Sequence, residues 1–245
     1  MALEPGLVEP RRAGPPFAVG VLAVLGTLPA VTALEPLAAA PRWLVVVVVI
    51  TVGVVGVGVA AAVGSVLARD IGFRAFATDR LPGTGLRAYR LPAVVGVAVA
   101  VVTLGIHAVA VTVGVDPGPP SRWVGDGSFA VVAGVAGGIV AELVLRFGVM
   151  TFVVWTAWTY RPAIDRSVTP TSAWAGVLVA AALGGCAAVP VAVADGVGPA
   201  GVVVAAVVPF VGGVVFGLLY WRYDLAAAVV AHAVASLLWT LVATI

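Results

Sequence analysis

From Trp43 to Ala68 the chain carries no Asp, Glu, Lys, Arg or His, and similar runs recur along its length. About 20 apolar residues in a helix cross the hydrocarbon core of a bilayer, and a soluble fold rarely needs such a run. Inside lipid every backbone N–H and C=O must find its partner within the protein, which restricts spanning segments to helices and closed barrels. Runs of this length without period-two alternation point to helices. The composition agrees: 62% of residues are hydrophobic and 10% charged, against about 45–50% and 25% in a soluble globular domain. A disordered chain, a disulfide scaffold and an ordinary soluble enzyme are excluded.

Spans are expected near residues 17–37, 43–68, 91–114, 129–158, 173–194, 200–221 and 225–245. Turn chemistry separates them at Leu81-Pro82-Gly83, Asp116-Pro117-Gly118-Pro119-Pro120, Thr169-Pro170-Thr171 and Gly198-Pro199. The expected fold is all-α: a polytopic membrane protein of about seven transmembrane helices. Residues 1–16 form a polar, Pro-rich tail before a single transmembrane domain at 17–245. No internal repeat and no soluble domain is visible. The fourth span, longer than one bilayer, is expected to tilt or to project into water.

Arginine placement tests this reading. All thirteen basic residues are Arg. One set of alternate connections holds ten of them: 11, 12, 69, 74, 80, 87, 90, 161, 166 and 222. The other set holds two, Arg42 and Arg122, and Arg146 lies inside a span. Under the positive-inside rule that asymmetry places the N-terminus in the cytoplasm of a cell-membrane protein. The net charge of +2 is too small and scattered for a nucleic-acid partner. The 69–90 connection reads as an orientation-setting loop, with a short interfacial helix on anionic lipid as the alternative. The single cysteine, Cys186, reads as a small core residue. With one Cys and two His, no metal site and no cofactor is expected.

An ionisable side chain within the membrane is costly, so each one present is a candidate functional group. Glu142 and Arg146 stand four apart on one face of the fourth span, the spacing of an ion pair. His232 and Ser236 stand four apart in the last span. His107 reads as a hydrogen-bonded helix contact and Glu35 as interfacial. Gly134, Gly137 and Gly138 of the fourth span and Gly212, Gly213 and Gly217 of the sixth provide small faces for close packing near these groups. A buried polar site shared by the fourth and seventh helices is the expectation.

The run Gly137-Gly138-Ile139-Val140-Ala141-Glu142-Leu143-Val144-Leu145-Arg146-Phe147-Gly148 resembles the first motif, Glu-Glu-x-x-x-Arg, of the CPBP family of CAAX-prenyl-protease-like intramembrane endopeptidases. Glu142 takes the second Glu position, Arg146 the Arg position, and Ala141 replaces the first Glu. The run from Leu183 to Pro190 resembles the family's Phe-x-x-x-His motif, with Gly184 at the Phe and Ala188 at the His position. His232-Ala233-Val234-Ala235-Ser236 resembles His-x-x-x-Asn, with Ser236 in place of the amide. The likeness spans roughly residues 129–240 and implies a CPBP-type helical bundle. It also implies that water activation for peptide hydrolysis belongs to the positions of Ala141 and Ala188. Carbonyl polarisation would belong to His232 and the Ser236 position, while Glu142 and Arg146 hold the site together. Two alanines cannot move a proton. The resemblance therefore implies a pseudoenzyme that binds hydrophobic peptide or membrane-protein segments in the lipid bilayer. The alternative is an active endopeptidase that uses Glu142 with His232.

Overall fold

The computed structural model describes residues 10–32, 41–76, 85–118, 130–161 and 167–243. They form α1 (Pro10–Thr32), α2 (Arg42–Asp70), α3 (Arg90–Thr112), α4 (Ala130–Thr159), α5 (Pro170–Ala194), α6 (Pro199–Arg222) and α7 (Leu225–Ala243). A short 3-10 helix, Gly85–Tyr89, leads into α3. Six helices, α2 to α7, are long and apolar enough to cross a membrane, and α1 adds the shorter apolar stretch Ala13–Leu28. No strand occurs among the described residues.

The helix boundaries follow the expected spans closely, with three informative shifts. α1 begins at Pro10 rather than Phe17, so part of the expected tail is helical. α5 begins at Pro170 because Thr169 is its N-cap: the side chain accepts from Ser172 N at 3.3 Å. Pro suits the next position, where no intrahelical N–H bond is needed. In the 69–90 connection, α2 runs on to Asp70 and the 3-10 helix covers its last part. Leu81-Pro82-Gly83, Pro119-Pro120 and Glu35 lie outside the described residues.

Contacts between connections confirm which helix ends share a side. Leu225 N donates to Arg74 O at 3.0 Å, and Ala226 N donates to Ala75 O at 3.1 Å. Asp224 Oδ1 accepts from Ala227 N at 2.8 Å, so three orphan donors at the start of α7 are all satisfied. Trp155 Nε1 reaches Asp70 Oδ2 at 3.1 Å, joining the ends of α4 and α2 on the same side. At the opposite end, Gly201 lies directly against the backbone of Asp116. The connections that carry Arg69, Arg74, Arg161 and Arg222 are thus gathered at one end.

Lipid supplies no hydrophobic drive between helices, so close packing of small residues takes its place. Gly96 of α3 rests on the carbonyl oxygen of Ala231 in α7. On α5, Ala181, Gly185, Ala188 and Ala192 are buried along one stripe, and a Cβ on Gly185 would come 2.7 Å from Ala206 O of α6. The outward faces are branched and apolar, as at Val52, Val55 and Val59 of α2. Cys186 belongs to an outward face, not to the core as its apolar surroundings suggested. A methyl on Gly96 would collide with backbone that has nowhere to move. Gly96→Ala is expected to destabilise by about 1–3 kcal/mol, read as a lower thermal midpoint of the detergent-solubilised protein.

Candidate functional site

Of the six long helices, α4 is the most buried, and it carries both ionisable groups of the first motif. Its middle, Glu142–Met150, is π-helical. There the Thr151 N–H reaches back five residues to Arg146 O, and Thr151 Oγ1 donates to the same carbonyl at 3.2 Å. Tyr220 OH of α6 completes the chain with a 2.8 Å bond to Thr151 Oγ1. Tyr220 is itself fixed edge-on against Phe73, with ring centroids 5.1 Å apart. A π-turn is a costly local geometry that recurs at functional sites. Here it sits directly on Glu142 and Arg146.

Glu142 is fully buried. Its Oε1 lies 2.8 Å from His232 Nδ1 of α7, and its Oε2 lies 3.3 Å from Arg146 Nε. The second contact is an ion pair without an aligned hydrogen bond, since neither Oε2 nor Nε has a hydrogen-bond partner. Arg146 Nη2 donates to Gly213 O of α6 at 2.7 Å. One carboxylate and one guanidinium therefore tie together α4, α6 and α7.

The His232 ring is held on both faces. Phe216 of α6 stacks on one, at 4.5 Å between centroids and 18° between planes. Gly138 lies against the other, where even a Cβ would come within 3.1 Å of the ring. Nearby, Trp239 Nε1 donates to Thr103 Oγ1 of α3 at 2.8 Å, and Thr103 donates to Val99 O at 2.7 Å. Among the described residues His107 makes a ring contact, edge-on to Trp239 at 5.7 Å, and not the expected hydrogen bond.

These groups border a cavity of about 310 Å³. α4 contributes Gly134, Gly137, Gly138 and Ala141, and α6 contributes Gly212, Gly213 and Phe216. His232, Ser236 and Trp239 line it from α7, and Arg146 reaches its edge. The glycines of α4 and α6, read from sequence as packing faces, line the cavity together with a wider set of small residues. Among the described residues no carboxylate lines it: Ala141 presents a methyl, and Glu142, one position on, is turned into the protein.

The structure brings together Glu142, Arg146 and His232, and places Ala141 and Ser236 on the same cavity. Ala188 does not belong with them. It is 2% exposed, lies on the stripe between α5 and α6, and does not line the cavity. The cavity-facing positions of α5 are Gly184 and Ala187. The physical reason is that α5 buries one small-residue stripe, which includes Ala188, against α6 and turns a different one to the cavity. Thr151, Tyr220, Thr103 and Trp239 are further members of the site. Only the i+5 spacing from Arg146 to Thr151 hints at them in the sequence, and an ordinary helix would not use it.

Residues 123–238 match the family described as type II CAAX prenyl endopeptidase Rce1-like. No curated protein and no solved structure matches the chain. The match contains Glu142, Arg146, His232 and nearly the whole cavity wall, and agrees with the CAAX-protease-like resemblance of the motifs. Residues 123–238 of this helical membrane protein, a little under half of the chain, are thus similar to the Rce1-like family of type II CAAX prenyl endopeptidases.

Proposed function

We propose that this chain holds hydrophobic peptide or membrane-protein segments in the α4–α7 cavity without hydrolysing them, and that its N-terminus faces the cytoplasm of the cell membrane. One observation carries the reading. At Ala141 the cavity meets a methyl where the family resemblance calls for a water-activating carboxylate, and the adjacent Glu142 is fully buried between Arg146 and His232. Peptide hydrolysis needs a base within hydrogen-bond reach of its water, and a carboxylate enclosed in this way offers none. The small glycine-lined walls leave the cavity itself open.

The test is the purified chain in lipid nanodiscs with a farnesylated peptide that ends in a CAAX sequence and carries a photo-crosslinker. Crosslinking to α7 with no cleavage products is the expected result. Cleavage that His232→Ala abolishes overturns the reading.

A second reading, an active endopeptidase, is favoured by one contact. The 2.8 Å hydrogen bond from His232 to Glu142 orients the imidazole as an acid–base dyad would. It requires that Glu142→Gln eliminate cleavage while folded yield is preserved. Binding without cleavage requires that Glu142→Gln act on stability alone.

A further inference from the structure

Away from the arginine-rich end, α1, α2 and α4 border a hollow that the Glu142 site does not use. Its walls include Val24 and Thr27 of α1, Val49, Val52 and Gly53 of α2, and Val140 of α4. The floor is tight: Val24 is buried, and a Cβ on Gly53 would come 2.8 Å from its Cγ1. The hydroxyl of Thr27 is already spent, donating to Val24 O at 2.7 Å. The hollow therefore offers hydrocarbon alone. One cation stands in line with it. Arg42 opens α2, and at 100° per residue Val49 and Gly53 lie within about 20° of its direction on the helix. They follow it by about 10 and 16 Å along the axis. The 29 residues of α2 span a bilayer with its headgroup layers, about 40–45 Å thick around roughly 30 Å of hydrocarbon. Arg42 thus sits at headgroup level, with the hollow in the hydrocarbon below it. Trp43, 68% exposed, marks the same level as an interfacial anchor. Arg42 itself is exposed and has no hydrogen-bond or ion-pair partner among the described residues.

We propose that this hollow holds one acyl chain of a bilayer phospholipid whose phosphate pairs with Arg42. In a phospholipid the glycerol and ester groups separate the phosphate from the chain, and a matching interval separates Arg42 from Val49. A guanidinium takes a phosphate through two parallel charge-assisted hydrogen bonds. A partner helix fits the hollow less well, because helices associate in lipid through small faces or interhelical hydrogen bonds. The glycine here is already packed on Val24, the hydroxyl is consumed, and the rim is branched, with Val52 67% exposed. A flexible hydrocarbon chain fills the space between valines without either. The lipid also reaches the functional helix. Val140 stands two positions before Glu142, where the π-helical segment begins, so the occupied hollow buttresses α4 at the start of its buried ion pair.

The experiment uses the full chain in detergent, stripped of lipid, and native mass spectrometry after lipid is added back. Phosphatidylglycerol is compared with the diacylglycerol that carries the same chains. The natural protein is expected to retain one phosphatidylglycerol, about ten-fold or more tighter than diacylglycerol, the worth of a hydrogen bond to a charged group. Arg42→Gln is expected to lose that preference. Val49→Trp, which fills the hollow, is expected to release the retained lipid. Val52→Trp does the same from the exposed rim, where the fold tolerates a larger side chain. Val55→Trp, exposed on another face of α2, is expected to leave the lipid in place. Added phosphatidylglycerol is also expected to raise the thermal midpoint of the natural protein more than that of Val52→Trp. Equal retention by the natural protein and Arg42→Gln, as follows if Glu35 occupies the guanidinium, overturns the proposal. So does retention that survives both Val49→Trp and Val52→Trp, which marks unspecific lipid. A dimer that Val52→Trp dissociates places a second copy in the hollow and overturns it as well.

Discussion

Glu142→Gln is expected to destabilise the protein by about 3–5 kcal/mol, the cost of leaving one partner of a buried ion pair uncompensated. The substitution keeps the shape and an oxygen that can still accept from His232 Nδ1. What it removes is the charge opposite Arg146, whose guanidinium is almost completely enclosed. Arg146 cannot escape by moving, because Nη2 is bonded to Gly213 O and its carbonyl is fixed through Thr151 to Tyr220. Thermal or denaturant unfolding followed by tryptophan fluorescence in detergent measures the loss. The double variant Glu142→Leu with Arg146→Met separates charge from packing. It replaces the pair with apolar side chains and is expected to be more stable than Glu142→Gln alone, because no unpaired charge remains. It is not expected to regain the natural stability, since Gly213 O and His232 Nδ1 each lose a partner at about 1–3 kcal/mol. A Glu142→Gln protein that unfolds within about 0.5 kcal/mol of the natural chain, the range of an ordinary surface change, contradicts a structural role for the pair.

How much of this was open to sequence reasoning depends on how rare the informative residue is. Charge is scarce here, so Glu142, Arg146 and His232 stand out against an apolar background, and three residues suffice to locate the site. The loop arginines likewise sort the helix ends, and the Arg74–Leu225 and Asp70–Trp155 contacts join connections assigned to one side. On α5 the same apolar background hides the answer. Between Ala173 and Ala194 every residue is apolar or glycine, and all faces of such a helix look alike to a hydropathy pattern. Only packing decides that Ala188 meets α6 while Ala187 meets the cavity. The π-turn is hidden for a related reason. Its register rests on the Thr151 bond to Arg146 O and on the Tyr220 bond to Thr151 Oγ1, the second of which crosses between α4 and α6.

That register difference on α5 makes the restoration of catalysis a sharp test. Two variants share Ala141→Glu and Ser236→Asn, which place a carboxylate and an amide on the cavity. One adds Ala187→His, the other Ala188→His. Ala187 faces the cavity, so a histidine there stands on the same space as the new carboxylate and His232. General acid–base groups set in place typically contribute 10²–10⁴-fold, and the Ala187→His variant is expected to cleave a fluorogenic CAAX-type peptide faster than the natural chain by about that factor. Ala188 is enclosed between α5 and α6, where even Gly185 leaves no room for a Cβ. An imidazole there forces the helices apart at about 1–3 kcal/mol or more and delivers nothing to the water. The Ala188→His variant is therefore expected to be inactive and less stable. Activity from the Ala188 variant alone would mean that α5 turns a different face to the site than this packing gives. Activity from neither would leave the cavity as a binding site whose chemistry these three groups cannot restore. The comparison depends on one feature of the fold: two adjacent alanines on α5, one walled in by the neighbouring helix and one open to the cavity.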